Sequence, residues 1–337
     1  MTKENKQLLS LNPNAAPKSG GLLFPYKNGK INLGKQVFWG HHRSGWKYAI
    51  SMFKLLNHPR GIKFNGFLDG VFSLQKRVMV EPFVGVFHNV PYHNNRGLVE
   101  YSPKYKGNSL SAIFSSRPWK DSVRHCRGIW TFSEYVAKFI RQATKVTVSS
   151  LRHPTSFSAL EFSFDDFDGN KNKQLLFIGH WMRNYEDFFK LSSRGYTKRL
   201  LMSGCHDSDL RMVNDCTRRY GESIAVGDRI PNDEYDKLLH KNICFISLFD
   251  ANVNNVVIEC MVRKTPLLVN RLPSIVEYLG EDYPFYYKDL EEAAHKLSSL
   301  DLIYRTHEYL SQLPQRKFLS GREFCESLRN SSVYNNL

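Results

Sequence analysis

The chain has 337 residues, of which 42% are hydrophobic and 23% charged. That is globular composition for roughly two domains of 100–200 residues each, and it excludes disordered, collagen-like and coiled-coil proteins. Its formal charge is +15, which points to an anionic partner.

The charge is divided unevenly. Residues 1–160 hold 24 basic and 6 acidic side chains, a net +18, whereas residues 161–337 hold 23 basic and 26 acidic, a net −3. One domain is therefore expected to carry a cationic surface suited to nucleic acid, anionic lipid or an acidic polymer. The longest mainly apolar run, Ile243–Phe249, falls far short of the roughly 20 residues that span a membrane. The N-terminal segment lacks the apolar stretch of a secretory signal, so a cytoplasmic protein is expected, peripheral at the inner membrane surface if lipid is the partner. Six cysteines, at 126, 205, 216, 244, 260 and 325, form no CxxC and no Cys/His grouping. They read as buried free thiols rather than a zinc site or a disulfide framework.

Short β-branched and aromatic runs alternate with longer mixed segments, the pattern of an α/β protein with parallel sheets. In chain order, strands are expected at Gln36–Gly40, Phe83–His88, Gly128–Ser133 and Lys145–Leu151. Helices are expected near Gly45–Leu56, Trp119–Cys126 and Glu134–Ala143. After a polar seam, Phe157–Lys173, come strands at Gln174–Gly179, Lys198–Ser203, Ile224–Val226, Ile243–Leu248 and Pro266–Asn270. Their helices fall near Asn184–Ser192, Ser208–Tyr220, Asn232–His240, Asn255–Val262 and Ser274–Leu279. This divides the chain into a flexible segment 1–30, a basic doubly wound domain 31–165, a second doubly wound domain 166–312, and a helical segment 313–337 that returns to the first domain.

No GxGxxG, GxxxxGK[ST], HExxH or GxSxG occurs, which removes dehydrogenase, P-loop, metalloprotease and α/β-hydrolase readings. Ligands of two facing Rossmann-like domains bind where strand C-termini meet the cleft.

Residues 227–287 present a short helix, a strand ending in a polar loop, a helix carrying Glu259, a second strand and Pro273-x-x-x-Glu277. This order resembles the donor half of GT-B glycosyltransferases, above all the glycogen-synthase-like class (glycosyltransferase family 1/4 type). LLFIGHWMRNYEDFFKL (175–191) resembles the opening of that family's second domain, GIWTFSEYVAKFI (128–140) its strand ending in Ser-Glu, and VGVFHNVP (84–91) its strand ending in a cleft histidine. Together the matches span residues 36 to 297.

The resemblance implies a nucleotide-diphosphate sugar, UDP- or GDP-linked, as co-substrate, with no tightly bound cofactor and no metal, and with retention of configuration favoured. It places Arg183 at the diphosphate and His88 at the donor sugar. Arg229 and Ile230 fall in the base-contacting loop, Asn254, Asn255 and Val256 beneath the phosphates, Glu259 at the ribose and Lys264 after the Glu259 helix. Gly45 and Ser44 let backbone approach the diphosphate, beside His41, His42 and Arg43 on the acceptor side. Arg124 and Arg127, next to the 128–133 strand, supply acceptor-binding charge, and Asp69 is the lone carboxylate suited to a general base. Each has a plainer alternative: Glu259 as a first-turn acid favoured by the helix dipole, the asparagines as caps, Glu277 as a stabiliser of its own helix start, the surface cations and Asp69 as solvated side chains. The sequence departs from the family's paired glutamates, since the first falls on Ala251. Asp250, one residue earlier, is the stand-in, and the loop has no glycine. Three functions remain: sugar transfer to an acidic acceptor (envelope or lipid-linked glycan), glycosylation of a hydroxymethylated base in DNA, and a non-catalytic binding protein on a degenerate scaffold.

Overall fold

The computed structural model describes residues 29–36, 45–92, 107–202, 204–205, 207–221 and 224–337. The expected strand Gln36–Gly40 lies, beyond Gln36, outside them, as do Ser44, His41, His42 and Arg43. Among the described residues no helix is long and apolar enough to cross a membrane.

The first sheet is parallel throughout, with strands β1 (Ile31–Asn32), β2 (Ile62–Asn65), β3 (Phe83–Val86), β4 (Cys126–Thr131) and β5 (Val148–Ser150) side by side in that order. Side chains alternate between faces, so consecutive apolar residues fill two cores at once. Phe64, Val84, Val86 and Trp130 pack under the helix Trp46–Phe53. Phe83, Phe87, Ile129 and Val148 pack with Trp119 and Ile140 on the other face. The helix Glu134–Ala143 has the bounds expected from sequence, set by the Ser133 side chain that accepts from Val136 N.

The second sheet contains β6 (Gln174–Ile178), β7 (Thr197–Leu201), β8 (Ala225–Gly227), β9 (Ile243–Ile246), β10 (Leu267–Asn270) and β11 (Tyr286–Tyr287), ordered β11-β10-β9-β6-β7-β8 and parallel. The chain winds outward from β6 to β8, then returns to the other side of β6 with β9. Connections diverge at the β6/β9 boundary, which opens a crevice beyond the C-termini of those two strands.

Differences from the sequence reading have local causes. Strands β1 and β11 are two residues long, too short to show a period, and β2 alternates around the exposed Lys63. The 157–173 seam is no free linker: Phe162 and Phe167 are buried in the second core, and a short helix Phe164–Asp168 interrupts it. Five cysteines are buried, Cys205 is half-buried, and all six are free. The helices Gly321–Asn330 and Ser332–Asn335 lie on the first domain, where Phe324, Cys325, Leu328 and Val333 complete the core over the Trp46–Phe53 helix. Trp130 Nε1 donates to Ser331 Oγ at 3.1 Å.

Phe324 is 1% exposed, its ring 5.3 Å from that of Phe53. Phe324→Ala is expected to cost about 3–5 kcal/mol of stability, as buried Phe truncations do. Urea unfolding monitored by tryptophan fluorescence reads this, and a loss under about 1 kcal/mol would mean that the C-terminal helices are dispensable to the first core.

Candidate functional site

At the β6/β9 switch point the chain turns sharply. Gly179 has φ +88°, and a Cβ there would sit 3.0 Å from Arg183 Nη2, so the position admits only glycine without strain. Met182 takes φ +58°, a left-handed conformation that costs a non-glycine residue about 1–3 kcal/mol and clusters at functional sites. This turn folds Arg183 back over the end of β6. Its Nε donates to Ile178 O at 2.9 Å, Nη1 to Trp181 O at 3.2 Å and Nη2 to Asn254 Oδ1 at 3.2 Å. Asn254 also caps the helix Asn255–Arg263 by accepting from Val256 N at 3.0 Å. A buried guanidinium thus adjoins the start of a nine-residue helix, whose dipole places about half a positive charge at that end. A helix start and a fixed cation beside it make the electropositive setting that a diphosphate requires.

The opposite wall comes from the first domain, and Asn252 joins the two. Its Oδ1 accepts from Phe132 N at 3.2 Å and Ser133 Oγ at 2.9 Å, and its Nδ2 donates to Phe87 O at 3.1 Å. His88 follows Phe87, so the loop carrying Asn254 is tied to the loop carrying His88. The His88 ring lies 4.6 Å from Trp46, edge to face, and donates Nε2–H to Gly66 O at 2.8 Å. Burial among these rings pushes its pKa down to about 4, which keeps the imidazole neutral. Asp69 is buried, and its oxygens accept from His88 N at 2.7 Å and Asn89 N at 3.0 Å. Burial pushes its carboxyl up to about 7. A carboxylate spent on two backbone amides positions the His88 loop instead of standing open as a base.

Further bonds cross between domains. Tyr135 Oη donates to Asp250 Oδ2 at 3.1 Å, and burial raises the Asp250 carboxyl to about 6. Glu277 accepts from Glu134 N and Tyr135 N, both at 2.7 Å, and pairs with Arg152 at 3.1 Å. Sequence reading assigns Glu277 to its own helix start; it caps a helix of the other domain.

The remaining candidates divide. Gly45 starts the helix of Trp46, beside His88. Arg229 and Ile230 follow β8, at the crevice end of the sheet. Glu259 is 3% exposed, one turn below the helix start, and accepts a hydrogen bond from Tyr235 Oη. Lys264 is placed elsewhere: it ends the Glu259 helix in a left-handed cap, φ +60°, and pairs with Glu161. Arg124 and Arg127 flank the start of β4, the end away from the cleft, because all cleft residues follow strand C-termini. Among the described residues no group of three or more His, Cys, Asp or Glu side chains comes together as a metal site. Sequence reasoning missed Asn252 and Trp181, the latter 38% exposed with its carbonyl accepting from Arg183 Nη1. The Asn-rich run 252–255 was the available signal for Asn252.

Asn252→Ala leaves Phe132 N–H, Phe87 C=O and the Ser133 hydroxyl without their partner, at about 1–3 kcal/mol for each buried group. Calorimetry should show a lowered Tm, and a wild-type Tm would remove Asn252 from the interface. For His88 the folded pKa lies below the ordinary 6.5, so between pH 6.5 and 4 the unfolded chain binds a proton that the native state refuses. The His88 contribution to stability is therefore lost as pH falls through that window, against the gain from Asp69, whose carboxyl is pushed up to about 7. His88→Gln should remove the acid-side loss, so that its Tm falls less, relative to wild type, on going from pH 6.5 to 4, and an unchanged slope would contradict the buried neutral imidazole.

No protein-family model and no curated protein matches the sequence. Solved structures do match. Sucrose-phosphate synthase from Thermosynechococcus elongatus is 10% identical over 89% of this chain and 86% of its own, with TM-score 0.58. Alr3699/HepE of Anabaena, determined in complex with UDP-glucose, is 10% identical over 79% and 77%, TM-score 0.57. TarM is 14% identical over 82% of this chain, TM-score 0.54, and the chain spans only 55% of TarM's length. At such identities the likeness is one of architecture: two facing Rossmann-like domains with a cleft between them, the GT-B fold.

Proposed function

We propose that the chain is a glycosyltransferase that moves a sugar from a nucleoside-diphosphate sugar to an acceptor hydroxyl. The observation that carries the reading is the buried Arg183 guanidinium held against the capped start of the Asn255–Arg263 helix at the switch point. As the glycosidic bond breaks, negative charge grows on the leaving diphosphate. Donors already fixed in place stabilise that charge with little reorganisation. The second domain holds the nucleotide, with the loop at Arg229 and Ile230 against the base and Asn254–Val256 beneath the phosphates. Glu259, oriented by Tyr235, receives the ribose. Neutral His88 presents its ring to the donor sugar, and Asp69 sets its place. A UDP-linked donor fits best, since HepE binds UDP-glucose in the same architecture.

The acceptor lies against the first-domain wall of the cleft, and the long-range field of that domain's net +18 favours the approach of an acidic acceptor over a neutral one. Arg124 and Arg127 have no part in that site. Base glycosylation in DNA gains nothing from the cleft residues described, and loss of the first family glutamate at Ala251 is the feature that would mark a non-catalytic binder.

A thermal-shift panel of UDP- and GDP-sugars tests the donor, because ligand at 100 times its Kd adds about 2.7 kcal/mol. No shift with any member would end the transferase reading. Slow hydrolysis of the stabilising donor separates an enzyme from a binder. Arg183→Ala should lower kcat by about 100- to 1000-fold, the range for loss of one charge-stabilising donor, and an unchanged kcat would remove Arg183 from the chemistry.

A further inference from the structure

The edge of the first sheet opposite the cleft carries a second concentration of charge. At the starts of β4 and β5 lies a depression of about 390 Å³ with Val123, Cys126 and Val146 as its floor and Arg124, Arg127 and Lys145 around it. The chain leading into β3 runs alongside, since Phe83 pairs with Cys126 and Met79 N donates to Ser122 Oγ at 2.8 Å. Met79 is buried and anchors this loop, while Leu74 is 67% exposed, Val78 39% and Val80 69%. Lys76 and Arg77 stand among them, both exposed. The nearby acids are already engaged, Glu81 with Lys63 at 3.3 Å and Asp121 with Arg117 at 3.4 Å.

We propose that this edge docks the protein on an anionic lipid bilayer, with the cations against the headgroups and the three aliphatic side chains at the acyl boundary. Aliphatic residues interleaved with Lys and Arg suit a lipid interface. Single-stranded nucleic acid would call for aromatic side chains to stack on, and this loop offers none. A second copy of the chain would bring like charges face to face. The edge lies one strand length from the cleft, roughly 20 Å for the six residues of β4, so docking leaves the donor crevice open.

Co-sedimentation with vesicles of phosphatidylcholine alone, and of equal parts phosphatidylcholine and phosphatidylglycerol, tests this without reference to turnover. The protein should pellet with the anionic vesicles, not the neutral ones, and less so at high salt. Each basic residue near the surface contributes about fivefold in partitioning, so Arg124→Glu with Arg127→Glu should reduce it at least tenfold. Leu74→Ser with Val80→Ser should weaken binding that persists at physiological salt. Both double variants should keep the wild-type Tm and donor-induced thermal shift. Equal partitioning to neutral and anionic vesicles, or unaltered binding by the charge-reversed variant, would overturn the proposal. So would a gel shift with duplex DNA that depends on Arg124 and Arg127 in a protein that ignores vesicles.

Discussion

The side-chain amide of Asn252 is the contact on which the rest of the cleft depends. It leaves the β9 loop of one domain and satisfies the backbone at the ends of β3 and β4 in the other. Both strands end at the cleft, where their last amides and carbonyls have no sheet partner, and buried backbone groups of that kind must find one. Supplying them from the opposite domain fixes how closely the two walls approach. Glu277 and Tyr278 act in the same sense nearby: Tyr278 Oη donates to Phe132 O at 2.8 Å and accepts from His153 N at 3.1 Å. The contact between the domains combines these polar bonds with a small apolar cluster, in which Val90 meets Met182 and Phe249, and with Val253, which packs on the first-domain core.

The same economy explains the crevice. Sheet order alone makes β6 and β9 diverge, and the residues after them need no long-range coincidence to meet. Gly179 lets the chain double back, Met182 accepts a strained conformation, and Arg183 is locked by three acceptors before any ligand arrives. Rigidity of this kind is what electrostatic stabilisation of a leaving group requires, because a donor that must reorganise contributes less.

Much of the fold was legible because the second domain's strands are short apolar runs bounded by caps and turns. The helix Asn232–His240 has the expected bounds, and Glu134–Ala143 likewise. What escaped was whatever depends on contacts distant in sequence. No local pattern tells that Asp69 spends both oxygens on the amides of His88 and Asn89, or that Glu277 caps the helix at Glu134 instead of its own. Lys264 differs for another reason: its sequence position suggests a cation close to the phosphate loop, but it ends a helix of nine residues, which puts it about 13 Å along the axis from the capped start at Asn254. Arg124 and Arg127 failed similarly, since proximity to a cleft strand says nothing about which end of it they occupy.

That last point changes what the first domain's charge means. A net +18 over residues 1–160, taken as a single surface, suggests one anionic partner met at the cleft. Among the described residues the parallel sheet divides that charge, because in such a sheet every strand begins at one edge and ends at the other. The cations at the starts of β4 and β5 therefore cannot serve an acceptor held at the strand ends, whatever its charge. Near the cleft, Arg152 of the first domain is paired with Glu277, and its guanidinium lies 4.7 Å from the Tyr278 ring. Charge that would otherwise attract an acceptor is there used to hold the domains together. If the chain docks on an anionic surface and transfers a sugar as proposed, long-range attraction and recognition of the acceptor are separate problems, met at opposite edges of one sheet.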